Sequence, residues 1–216
     1  MPHKTQRIVC DVDGCVALFT NAYAELLAYE AGGCKLHKGW QDDPTFPAVW
    51  NWEAPYGYDA ATVSRVWQDH ILIRDDFWRK LPPLPDAYYA MRRLNWLAKE
   101  GEAEVYFLTH RMGNKAKLQT EQWLYDKGGI DYPTVIISGP DKIPLLRDLK
   151  PDFFIDDKDS TMMDLVKTAE REKWLEGRNF YLKTAPYNKG AAHPKLKRAA
   201  SLGDALKDAG LWSEQK

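Results

Sequence analysis

Long apolar runs are missing from this 216-residue chain: no stretch of about 18 consecutive apolar residues occurs, so no membrane-spanning helix is expected. The start, MPHKTQR, is polar, and no secretory leader is expected from it. Cysteine is scarce. Cys10, Cys15 and Cys34 are odd in number and form no CxxC, which argues against a disulfide framework and a cysteine-based zinc site and predicts a reducing, cytoplasmic setting. An excess of either charge is also lacking. Thirty Lys+Arg against 31 Asp+Glu leave a net charge of -1, so no overall field draws the chain to nucleic acid or to an anionic membrane. Any anionic ligand must be held by local charge. There is no HExxH, GxSxG, Walker A or GxGxxG pattern, which removes support for zinc-protease, serine-hydrolase, NTPase and dinucleotide-binding readings.

What is present describes a folded chain of one domain, or one domain with a sizeable insertion, with 44% hydrophobic and 28% charged residues. Short apolar segments at 7–10, 105–108, 134–137, 152–155 and 179–182 read as buried strands. Helical periodicity at 86–99, 114–127, 159–174 and 201–209 separates the later ones. Strands alternating with helices imply parallel pairing by right-handed crossovers, hence a three-layer α/β sheet. Residues 16–85 break this rhythm. They contain helical patterns at 21–30 and 60–71, a Gly- and Pro-interrupted middle and a stiff LPPLP return, and they predict a mostly helical cap inserted into a core formed by 1–15 and 86–216.

The strongest chemical signal is the first strand running into Asp11-Val12-Asp13-Gly14. In an open parallel sheet, ligands bind beyond the carboxyl ends of the strands, so acids at i and i+2 stand at the expected active edge. A calcium loop is rejected, because Val16 and Ala22 occupy the positions that need Gly and an acid. The apolar strand Phe153-Phe154-Ile155 ends similarly in Asp156-Asp157. Carboxylates so crowded need a cation, and Mg²⁺ suits an all-oxygen site that keeps positions for water and substrate. Thr109 ends the strand between, and Lys142 follows Ile137-Ser138. Donor, cation, metal and nucleophilic carboxylate together describe a site for an anionic tetrahedral group.

The order DVDG, FLTHR, DK and FIDD, each after an apolar strand, resembles the four motifs of the haloacid dehalogenase superfamily of phosphohydrolases. DFWRKLPPLPDAYYAMRRL, EVYFLTHR, FIDDK and APYN are similar to its 5'(3')-deoxyribonucleotidase branch. The resemblance implies a Rossmann-like core and a Mg²⁺-dependent phosphatase. Asp11 would be the nucleophile and Asp13 the acid and base, with its carbonyl on the metal. Thr109 and Lys142 would hold the phosphoryl group, and Asp156 would join Asp11 as a metal ligand, with Asp157 behind it. Lys158 competes with Lys142 for the lysine role. Cys15 and the His110-Arg111 pair depart from the common pattern.

Aromatic residues gather in 16–85, and most of them serve to build the core that such an insertion needs. Phe19, Phe77 and Trp78 are the ones that the resemblance points to as pocket residues, with Trp50 and Trp52 weaker candidates; aromatic faces stack on nucleobases. His110 and Arg111 follow Thr109 at the active edge, where Arg111 would meet a substrate phosphate or a cap carboxylate. The acid-free run 183–198 reads as a solvated face. The expected partner is a small phosphate ester, a nucleoside monophosphate by preference. Nucleic-acid ends, sugar phosphates, a non-catalytic ligand sensor and a homodimer stay open.

Overall fold

The computed structural model describes residues 5–213; residues 1–4, on which the expected lack of a leader partly rests, lie outside the described residues. Six strands form one sheet in the order β3-β2-β1-β4-β5-β6, every neighbouring pair parallel. They are β1 (Gln6–Cys10), β2 (Ala103–Thr109), β3 (Val135–Ile137), β4 (Phe153–Asp156), β5 (Asn179–Lys183) and β6 (Lys197–Ala199). Five match the expected segments to within two residues. β6 was not expected: three residues with an exposed Lys-Arg carry no apolar pattern, and only Ala199 is buried. The basic run therefore holds an edge strand, and the Arg198 guanidinium donates to the carbonyls of Asn188, Lys189 and Ala191.

The strand period of two sorts the core into two faces. Along β1, Ile8 and Cys10 pack with one buried cluster and Val9 with the other. α4 (Ala87–Lys99), α5 (Ala116–Gly128) and α8 (Leu202–Asp208) cover the first face. In α4 the buried Ala87, Ala90, Met91, Leu94 and Leu97 follow the three-to-four spacing of one helical stripe. α6 (Ile143–Leu149) and α7 (Asp159–Arg171) cover the second face, through Leu146, Met162, Leu165, Val166 and Ala169. This is the expected three-layer α/β arrangement. α6 escaped the sequence reading because seven residues with Pro144 in the first turn offer too little periodicity.

Between β1 and α4 lie α1 (Phe19–Glu30), a 3-10 turn (Trp40–Asp42), α2 (Ala60–Arg65) and α3 (Phe77–Lys80). Asp59 caps α2 by accepting from the Thr62 amide at 2.7 Å. The helix expected over 60–71 changes to a π turn at Val66–Leu72, a form that often marks functional positions. The outgoing and returning chains clasp each other: Leu18 donates to the Pro82 carbonyl at 2.9 Å and Leu84 to the Val16 carbonyl at 2.8 Å. The apolar residues of this region join the first core face without a break.

Candidate active site

β1, β4 and β2 are adjacent at the centre of the sheet, and each ends in a polar residue at the same edge: Asp11 just beyond β1, Asp156 on β4 and Thr109 on β2. The Asp11 amide donates to the Ile155 carbonyl at 3.0 Å, so the ladder carries the first carboxylate one residue past the strand. The chain then turns at Gly14, whose φ is +78°, while the amides of Val16 and Ala17 both reach the Val12 carbonyl. A Cβ on Gly14 would overlap the Asp157 carboxylate, so this position requires glycine both for its backbone and for the space beside it.

Lys142, just before α6, sends its Nζ to Asp11 Oδ1 and Asp156 Oδ2, both at 2.7 Å. Asp156 Oδ1 accepts the Lys158 amide at 2.8 Å, so both oxygens of Asp156 are occupied by protein donors. Asp157 accepts from the Tyr187 hydroxyl, and its carbonyl takes Asn188 Nδ2 at 2.7 Å. Tyr187 and Asn188 belong to the APYN stretch, whose part in the site has no signal in the sequence beyond the resemblance. The sequence expectation gave Asp156 the place beside Asp11 and kept Asp157 behind. The geometry has Asp157, with Asp11 and Cys15, offering ligand atoms within 4.8 Å of one another, while Asp156 is held on Lys142.

The charge balance points the same way. Asp11, Asp156 and Asp157 are 4%, 0% and 3% exposed, and Lys142, itself 7% exposed, is the cation that reaches into their midst. Burial pushes the Asp11 carboxyl well above the usual carboxylate range; Lys142 pulls it back and the neighbouring carboxylates push it further. Burial, followed by the charge of Asp156, pushes Asp157 up to about 7. Burial also draws the Lys142 ammonium down, but Asp11 and Asp156 outweigh it and hold it above its ordinary value. Burial and the nearby carboxylates push up the Cys15 thiol, so it stays a neutral filler. Three buried carboxylates share the single ammonium of Lys142, and this surplus of oxygen ligands at Asp11 and Asp157, with an Asp13 carbonyl that accepts no hydrogen bond among the described residues, fits a hard, oxygen-binding divalent cation.

Asp13 is held differently. Arg111 grips its carboxylate with Nη2 to Oδ1 at 2.8 Å and Nε to Oδ2 at 2.9 Å, and the Thr109 hydroxyl lies 3.4 Å from Oδ2. The guanidinium is buried, bonds Thr120 Oγ1 at 3.0 Å and sits 4.9 Å from the Trp78 ring. Arg111, expected to meet a substrate phosphate or a carboxylate of the insertion, is thus engaged by Asp13 and does not line the cavity.

That cavity, about 250 Å³, opens over Asp11, Asp13, Thr109 and Lys142. Phe19, Trp78 and His110 line it as the sequence proposed; His110 donates from Nδ1 to the Ser138 carbonyl at 2.9 Å. Phe77 does not line it. It stands edge-on behind Trp78 at 4.9 Å, a packing residue. Lys158 lines the cavity with its ammonium 5.6 Å from the Trp50 ring, and its side chain makes no ion pair with the carboxylates. The sequence reading missed Tyr23, Glu53, Trp67 and Tyr187 as lining residues.

No family model matches the chain. A Bacillus cereus protein described as a "Putative nucleotidase" is 27% identical over 155 residues, covering 70% of this chain and 74% of that one. Among solved structures, a "putative beta-phosphoglucomutase" from Thermotoga maritima aligns over 95% of this chain and 99% of its own, with a TM-score of 0.51 and 14% identity. A 2-haloacid dehalogenase from Pseudomonas syringae aligns over 97% of this chain and 100% of its own, with a TM-score of 0.46 and 14% identity. The chain therefore shares its overall fold with the Thermotoga maritima structure, the α/β architecture that its strand and helix pattern implied.

Proposed function

We propose that this chain, built on the haloacid dehalogenase fold, is a Mg²⁺-dependent phosphomonoesterase that acts through an aspartyl-phosphate and takes (deoxy)nucleoside monophosphates. The observation that carries the reading is the Asp11 carboxylate held by Lys142 at 2.7 Å, beside the Arg111-gripped Asp13, on the floor of an aromatic-lined cavity. Residues 16–85 would act as the cap that closes this floor from water.

In this mechanism Asp13, held as a carboxylate by Arg111 in the resting site, leaves the guanidinium and takes up a proton as substrate binds; an Asp11 oxygen then attacks phosphorus, an O–P bond forms, the P–O bond to the leaving group breaks, and Asp13 gives that proton to the departing alkoxide. Lys142 bonds Asp11 Oδ1 and leaves Oδ2 without a donor among the described residues, which supports Asp11 as the attacking group. Water then attacks the acyl phosphate, Asp13 takes its proton, and Asp11 returns as carboxylate with release of phosphate. Thr109 and Lys142 offset charge on the phosphoryl oxygens. Mg²⁺, held by Asp11, Asp157 and the Asp13 carbonyl, would supply charge neutralisation at the phosphoryl group. The Bacillus cereus relative supports a nucleotide as the ester, and the ring of Trp50, 48% exposed where it lines the cavity, supplies stacking surface for a base.

The test is phosphate release from deoxynucleoside monophosphates, 3'-phosphorylated oligonucleotides and sugar phosphates, with and without Mg²⁺, by wild type and Asp11→Asn. Mg²⁺-dependent release from the mononucleotides, lost in Asp11→Asn, is the expected result. Release from sugar phosphates or oligonucleotide ends in place of mononucleotides overturns the substrate class. Full activity in excess chelator overturns the metal.

A further inference from the structure

The cavity contains one acid that the proposed chemistry does not use. Glu53 lines it beside Trp52, and its Oε1 accepts the Tyr23 hydroxyl at 3.1 Å. Among the described residues, no other hydrogen bond and no ion pair reaches this carboxylate, so Oε2 has no donor. Tyr23 is itself buried and packs against Phe19 at 5.3 Å and Trp52 at 5.8 Å, which ties Glu53 to the aromatic wall. Among the described residues, no hydrogen bond or ion pair joins it to Lys142 or to the Asp11 cluster. A carboxylate facing a cavity that binds a phosphate ester repels the phosphate, so it can only serve the other end of the ligand. There it is an acceptor with no hydrogen to offer, and it rewards a ligand edge that presents donors.

We propose that Glu53 reads the base of the substrate and selects guanine. This rests on the nucleotidase reading above. Guanine presents a ring N–H and an amine side by side, a donor pair that matches the two oxygens of one carboxylate. Adenine and cytosine place a bare ring nitrogen beside their amine. Thymine and uracil offer one N–H between two carbonyl oxygens, which would face the carboxylate's own charge. The Tyr23 hydroxyl is a positioning group: it donates to one lone pair of Oε1 and fixes the carboxylate plane, leaving three lone pairs for the ligand.

The experiment compares kcat/KM for dGMP, dIMP and dTMP in the wild type and in Glu53→Gln, a near-isosteric change at a half-buried position. The wild type is expected to favour dGMP over dTMP by about 10- to 100-fold, the range of a good two-bond base contact, with dIMP between because it keeps the ring N–H and lacks the amine. Glu53→Gln, whose amide presents one donor and one acceptor, is expected to bring the dGMP-to-dTMP ratio close to one. Binding of dGMP and dTMP to Asp11→Asn, measured by calorimetry, should show the same preference without turnover. If deoxynucleotides are hydrolysed without preference for guanine, or the ratio survives Glu53→Gln, the Glu53 proposal falls and the nucleotidase reading stands. If other phosphate esters are hydrolysed and no nucleotide is hydrolysed or bound, both fall together.

Discussion

The two halves of the site are built by opposite means. At the sheet edge, nearly every polar atom has a named partner: Lys142 spans Asp11 and Asp156, Arg111 grips Asp13, and Tyr187 and Asn188 hold Asp157. Across the cavity, Phe19, Tyr23, Trp67 and Trp78 are held by ring contacts at 5.3 to 6.5 Å, with few hydrogen bonds among them. Bond-making needs charges fixed to within fractions of an ångström, because misplaced dipoles lose most of their effect on a reacting atom. Holding the rest of a ligand needs area, which ring packing supplies and which tolerates small shifts.

That contrast breaks first at Asp11. Asp11→Asn should lower kcat by about 10⁴-fold or more, measured by phosphate release. Its melting temperature without metal should stay at or above the wild type's, because one unfavourably buried carboxylate charge is removed. A folding defect would show that the carboxylate holds the sheet edge together.

Lys142→Met removes the ammonium and leaves Asp11 and Asp156 facing each other inside the protein. Losing one partner of a buried ion cluster costs about 3–5 kcal/mol, and urea unfolding should register a loss of that order. Trp50→Ala samples the other half. Trp50 is 48% exposed and touches Tyr187 edge-on at 5.1 Å, so the urea midpoint should barely move. KM for a deoxynucleotide should rise by about tenfold while KM for a base-free phosphate ester holds, the signature of a lost stacking surface. Equal rises for both esters would make Trp50 part of the phosphate end.

The smallest effect lies at the helix pairing of the insertion. Glu30 on α1 hydrogen-bonds His70 in the π turn at 2.7 Å and Arg65 at 3.1 Å, and these partners hold its carboxyl below the usual range. Its contribution to stability is therefore complete above the unfolded carboxylate pKa of about 4.3 and fades as pH falls through the lower folded value. The melting-temperature gap between wild type and Glu30→Gln should be small near neutrality and close as pH falls through the lowered folded value of Glu30. A gap that persists there would place the contribution in packing.

The same division governs what could be read from the chain alone. Five strands, the layered architecture and the convergence of Asp11, Asp13, Thr109, Lys142 and Asp156 were legible, because buried parallel strands are short apolar runs and their polar last residues must meet at one edge. Spacing to the acidic strand favours Lys142 over Lys158 in the sequence, and in the structure it is the Lys142 Nζ that bonds two carboxylates. That Asp156 is held on Lys142 while Asp157 lies with Asp11 and Cys15 was illegible, since it depends on which way β4 turns its last side chain. Arg111 was misread for a related reason: an arginine at the active edge can face the ligand or a neighbour, and Thr120 with two tryptophan rings holds it inward. Tyr23 and Glu53, 30 residues apart, meet only because α1 and the irregular 43–58 segment fold onto each other, a contact with no periodic signature.

The strand order has a consequence for how the protein is made. β1 leaves the ribosome before the other strands of its sheet, yet its neighbours on either side lie far along the chain: Ile8 pairs with Val105 in β2 and with Phe153 in β4. Asp11 emerges early and waits until Asp156 follows, on the order of ten seconds at ordinary rates of synthesis. Until β2 follows, an apolar β1 has two open edges, and from then until β4 is made the edge that β4 will cover stays open. A nascent chain of this design is at its most vulnerable before β4 is complete, and a substitution that weakens the pairing of β1 with β4 would be felt first as lost yield of folded protein, ahead of any loss in the activity of the molecules that succeed.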